Sequence, residues 1–163
     1  KDLKKQKLSN GEKLPTLEKY LKQGKKSKQV KLIVEIKPAK TPELEDEMVI
    51  KTLKMIRDKS LENQCEFISF SLHLCKEIKK QNPKAIVQYL AGDLSPSDIK
   101  NAGIDGLDYH YSVFLDKHPD WILEAKKLGL ITNVWTVNDE VIFKKLADLG
   151  VGFVTTNVPD VLK

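Results

Sequence analysis

Arginine is nearly absent from this chain. Arg57 is one of 28 basic residues, and the lysines that make up the rest are interleaved with 23 acids to leave a formal net charge of +5. A nucleic-acid surface clusters Arg and Lys around stacking rings. Pairs such as Lys4–Lys5 and Lys25–Lys26 have no aromatic neighbours, so the composition excludes a nucleic-acid partner and describes a solvated, lysine-rich surface. Its mild positive field favours anionic ligands. Cysteine is scarce too: Cys65 and Cys75 make neither a disulfide framework nor a C-x-x-C metal site. No apolar run approaches the ~18 residues of a membrane helix, and no signal-peptide pattern opens the chain. No zinc-ligand spacing or Ser-His-Asp set is visible, and no G-x-G-x-x-G follows the first apolar run, which argues against a dinucleotide site.

What the chain does have is alternation. Its 163 residues suit a single domain. From Lys31 onward, β-branched runs at 32–37, 66–71, 85–90, 106–111, 131–138 and 152–157 alternate with helical patterns at 43–59, 74–81, 96–102, 119–128 and 140–149, after a leading helix at 16–22. In the longest helix Met48, Thr52, Met55 and Ile56 fall at helical spacing. Gly129 and Gly150 stand just past helix ends, while Ser95 and Asp139 occupy N-cap positions. Six strands repeating about every 24 residues predict a parallel α/β sheet. It is expected either to stay open as a doubly wound sheet or to belong to a TIM-type (β/α)8 barrel. Polar residues recur at the C-terminal ends of several strands, namely Glu35 and Lys37, Ser69 and Ser71, Gln88, His110, Trp135 and Asn138. Sites assembled from many strand ends favour the barrel. Eight strands are needed and six are found, so the expectation is an incomplete barrel of about six βα units, strands 3–8, lacking the first two.

The run "KLIVEIKP" at 31–38 focuses the functional question. Strand alternation puts Ile33, Glu35 and Lys37 on one face and Leu32, Val34 and Ile36 on the other. A carboxylate and an ammonium on one face fit either a plain surface ion pair or the lining of a site.

"LPTLEKYL" at 14–21, "LIVEIKP" at 32–38, "FISFS" at 67–71, "NVWTVND" at 133–139 and "LGVGFVTTNVPDVL" at 149–162 occur in an order that resembles the C-terminal two-thirds of the glycerophosphodiester phosphodiesterase family. "WTVN" ahead of "GVGFVTTNVP", after an "EIK" strand, is the specific part. The resemblance implies a TIM barrel that hydrolyses glycerophosphodiesters to an alcohol and glycerol 3-phosphate with a divalent metal, Ca²⁺ or Mg²⁺. It implies Glu35 as a metal ligand, Lys37 beside the substrate phosphate and Trp135 in the substrate pocket. Ser69, Gln88 and His110 are further candidates for substrate contacts. His73 and His118 read as helix starts.

The family's N-terminal "HRG…PENT" segment, with catalytic histidines and an arginine, has no match here, nor does its Glu-x-Asp metal pair. The 163 residues alone are therefore expected to be inactive. Two other readings stay open: a non-catalytic barrel-derived module that binds a phosphorylated ligand or pairs its open edges with a second copy, and a barrel of the phosphoinositide-phospholipase type.

Overall fold

The computed structural model describes residues 5–162. Its centre is a six-stranded, wholly parallel sheet in the order β1-β2-β3-β4-β5-β6. The strands are β1 Leu32–Glu35, β2 Cys65–Ser69, β3 Val87–Tyr89, β4 Gly106–His110, β5 Ile131–Trp135 and β6 Phe153–Val154. Helices α2 Pro42–Arg57, α3 Leu72–Gln81, α4 Pro96–Asn101, α5 Trp121–Lys127 and α6 Glu140–Asp148 follow the first five strands in turn, and α1 Leu17–Gly24 precedes them. Sequential order without a switch point makes this a curled half-barrel, six strands of the eight that closure requires. The expected incomplete TIM-type barrel is therefore observed.

Local chemistry explains the boundaries. Thr16, Thr41, Ser71 and Ser95 each accept a backbone N–H three residues on at the start of α1, α2, α3 and α4, and Asp139 caps α6 through Val141 and Ile142. Asp98 returns the bond to Ser95 and closes a capping box. Gly150 follows α6 at φ +80°, a left-handed conformation that stops a helix at low cost only for glycine. One element had no counterpart in the sequence reading: a π-helical turn, Val113–Lys117, after β4.

The core lies between sheet and helices. Val34, Phe67, Val87, Tyr89, Leu107, Tyr109 and Val134 point outward from the strands onto Val49, Leu53, Ile56, Leu74, Ile78, Ile99, Ile122 and Leu146. The buried stripe of α2 is Glu45, Val49, Leu53 and Ile56, offset from the one predicted, and Met48 is exposed at 37%. Ile56 is common to both, while Val49 and Leu53 take the places of Met48 and Thr52, one residue on, because the sheet takes the Val49 side of the helix.

Candidate active site

Strand alternation and the ladder register together define the concave face. Glu35 lies opposite Ile68, Ile68 opposite Gln88, Gln88 opposite Gly106, Asp108 opposite Asn133 and His110 opposite Trp135. At Gly106 the sheet admits no side chain, since a Cβ would stand 2.5 Å from the Ile131 carbonyl oxygen.

A cavity of about 260 Å³ opens on this face at the C-terminal ends of the strands. Glu35 borders it from the last position of β1 and Lys37 from just beyond it, Phe70 from just after β2, and Asp108 and Trp135 from β4 and β5. Lys37 Nζ donates to Glu35 Oε1 at 2.7 Å, with the lysine side chain well exposed. A pair so wetted contributes little to stability. Trp135 Nε1 donates to the Asp108 carbonyl at 2.8 Å, and the indole meets the rings of Phe70 and His110 edge-on, at centroid distances of 5.8 and 5.2 Å. The tryptophan is thus a fixed apolar wall facing an ion pair.

Asp108 is the unusual group. It is 2% exposed, and its Oδ1 has no hydrogen-bond partner among the described residues; the same holds for Gln88 Oε1 and Asn133 Oδ1. Burial, and then the negative charge of Glu35, push the Asp108 carboxyl up to about 7. All three orphans are oxygen acceptors, so this face suits a ligand bringing positive charge or donor groups. A hard cation takes oxygen ligands of this kind, six to eight for Ca²⁺ and six for Mg²⁺. Glu35 and Asp108 supply the right atoms but only part of such a shell, and no cluster of three or more His, Cys, Asp or Glu side chains is gathered for a metal among the described residues.

The residues singled out from sequence divide clearly. Glu35, Lys37 and Trp135 meet at the cavity. His110 stands beside it, its Nδ1 2.8 Å from the Ser112 hydroxyl. Gln88 is on the concave face but buried, outside the cavity lining. Ser69 is not brought there: it points to the helix side, fully buried, its hydroxyl donating to the Ile36 carbonyl at 2.7 Å. A substrate contact for Ser69 is therefore replaced by a strand-to-strand tie. His73 sits in the first turn of α3, paired with Asp46 at 2.7 Å, and His118 stacks on Trp121 at 3.8 Å. Asp108, Phe70 and Thr155 also line the cavity and are not among the residues singled out from sequence. The available signal for Asp108 was its two-residue spacing from His110, which puts both on one face.

A family model, the glycerophosphoryl diester phosphodiesterase family, matches residues 1–161. The chain belongs to this family. Solved structures agree. A glycerophosphodiester phosphodiesterase from Parabacteroides distasonis is 45% identical with TM-score 0.94, over 98% of this chain and 66% of that one. A Silicibacter pomeroyi protein named for the same activity is 26% identical with TM-score 0.80, over 92% of this chain and 55% of that one. An Oleispira antarctica phosphodiesterase, solved with the product sn-glycerol-3-phosphate, shares the fold at 23% identity and TM-score 0.67, over 79% of this chain and 52% of that one. The chain thus spans between about half and just under two thirds of these relatives' lengths. No curated protein matches it.

Proposed function

We propose that this chain carries part of the active site of an enzyme that hydrolyses glycerophosphodiesters to an alcohol and glycerol 3-phosphate. One observation carries the reading: the "EIK" residues Glu35 and Lys37, joined at 2.7 Å, share a strand-end cavity with Trp135 in a chain of this family. The 45% identical Parabacteroides protein bears that activity in its name. In the hydrolysis, water attacks phosphorus, the phosphorus–oxygen bond to the alcohol breaks, and the alcohol oxygen leaves with a proton. Negative charge accumulates on the remaining phosphoryl oxygens. Lys37 holds a positive charge at the cavity where those oxygens would lie. Trp135 offers a flat apolar surface to the glycerol or alcohol carbons and narrows the access of bulk water. The divalent cation implied by the family, Ca²⁺ or Mg²⁺, would be held in part by Glu35 and would neutralise phosphoryl charge as a Lewis acid.

The test is release of glycerol 3-phosphate by the full-length protein from glycerophosphocholine and glycerophosphoethanolamine, with Ca²⁺, with Mg²⁺ and with chelator. Metal-dependent release that disappears in Glu35→Ala supports the proposal. No release with either metal counts against it and favours a non-catalytic, phosphate-binding module.

A further inference from the structure

Behind the cavity, on the helix side of the sheet, a carboxylate and two hydroxyls tie the loop after β1 to the loop after β2. Glu45, near the start of α2 and 6% exposed, accepts the Ala39 N–H at 3.1 Å through Oε1 and the Ser71 hydroxyl at 2.8 Å through Oε2. The Ser71 hydroxyl also accepts the Leu74 N–H and so caps α3. One layer below, Ser69 Oγ donates to the Ile36 carbonyl at 2.7 Å and accepts the Ser71 N–H at 3.1 Å. Lys37 therefore stands between two fixed points. Ile36 is held by Ser69 and by its own N–H bond to the Ile68 carbonyl at 3.1 Å, and Ala39 is held by Glu45. Pro38, between them, has a ring-locked φ.

Glu45 begins the inward stripe of α2 that continues as Val49, Leu53 and Ile56. A buried carboxylate costs free energy unless both oxygens are bonded, so an apolar residue there would serve packing at least as well. Position in the first turn suits a negative charge near the helix N-terminus. That preference does not explain why both oxygens turn away from the helix to bind two loops.

We propose that Glu45 is a positioning residue: by holding Ala39 and Ser71 it sets where Lys37 stands at the cavity. The inference rests on the reading of Lys37 as the phosphate-facing cation.

The test uses the full-length protein with Glu45→Leu and Glu45→Gln, each also on a Lys37→Ala background. Glutamine keeps an oxygen for the Ala39 N–H and can donate its amide to Ser71, so Glu45→Gln should stay near wild type. Glu45→Leu should lower kcat roughly 10- to 100-fold through misplacement and speed hydrogen exchange at the Ala39 amide. On the Lys37→Ala background it should add no further loss, because residues acting as a unit are not additive. Faster Ala39 exchange with unchanged kcat and KM would overturn the proposal, and so would an equal loss on both backgrounds. If Glu45→Leu does not fold, Ser71→Ala should show a smaller loss, again absent on Lys37→Ala. If the wild type turns over no glycerophosphodiester, the enzymatic reading fails, and affinity for inorganic phosphate becomes the readout. Weakening by Glu45→Leu that vanishes on Lys37→Ala then sustains the proposal; unchanged affinity, or no phosphate binding by the wild type, overturns it.

Discussion

The two faces of the sheet obey different rules. On the helix side the strand side chains from Val34 to Val134 are mainly apolar, Ser69 is hydrogen-bonded both ways, and most are less than a tenth exposed. On the concave side stand a wetted ion pair, an apolar wall and three buried oxygens without partners among the described residues. Native proteins rarely leave buried acceptors unpaired. The contrast therefore separates a face whose chemistry serves stability from one whose chemistry suits a ligand. It also explains why neighbours in one strand divide between roles: Ser69 and Ile68 are adjacent, yet only Ile68 lines the cavity.

That separation can be broken first on the helix side. Phe67, 2% exposed in the core, should cost about 3–5 kcal/mol of unfolding free energy on Phe67→Ala, measured by denaturant titration. Activity per folded molecule should change little. Glu35→Ala should do the reverse in the full-length protein, lowering kcat/KM roughly 10²–10³-fold while its denaturation midpoint stays close to wild type. If Glu35→Ala destabilised as much as Phe67→Ala, the concave face would be part of the structural core and the contrast would collapse.

Asp108 offers a test in pH. Its carboxyl is raised to about 7, mainly by burial and then by Glu35. The folded chain therefore keeps a proton that the unfolded chain releases near pH 4. This contribution to stability is fully present below about pH 4 and is lost as pH rises through about 7. With chelator present, wild type should lose up to a few kcal/mol across that window, at about 1.4 kcal/mol per pH unit. Asp108→Asn should lack the slope and be the more stable protein at pH 8. Equal pH profiles for the two would mean that Asp108 is better solvated than its burial indicates.

Much of this arrangement was legible in the sequence. All six strands, the five crossover helices and the leading helix were expected, because β-branched runs, caps and Gly150 are local signals. Strand ends were less legible. The run 152–157 shrinks to Phe153–Val154, since a strand ends where its neighbour stops supplying ladder partners, a property of two segments rather than one. Facing was legible only in β1, where charge and apolarity alternate. In "EFISFS" each parity mixes apolar and polar side chains, Phe67 with Ser69 and Ser71 on one and Ile68 and Phe70 with Glu66 on the other, so nothing local says that Ser69 points outward and Phe70 to the cavity. The orphaned acceptors were invisible, because an unsatisfied oxygen is defined by what three strands together fail to provide.

The smallest expected effect probes the same question one layer out, on α2. The spacing of Met48, Thr52, Met55 and Ile56 predicts one inward stripe; the structure buries Glu45, Val49, Leu53 and Ile56 instead. Val49 and Leu53 stand one residue, about 100° of helix, beyond Met48 and Thr52, while Ile56 belongs to both stripes. Mutation distinguishes them sharply. With Met48 at 37% exposure, Met48→Ala should shift unfolding free energy by no more than about 0.5 kcal/mol, as at other surface positions. Leu53→Ala, at 6% exposure, should cost about 2–5 kcal/mol. The rotation also decides what meets the loops. Only the observed stripe directs Glu45 toward Ala39 and Ser71, so a costly Met48→Ala would remove the anchor of Lys37 along with the helix placement.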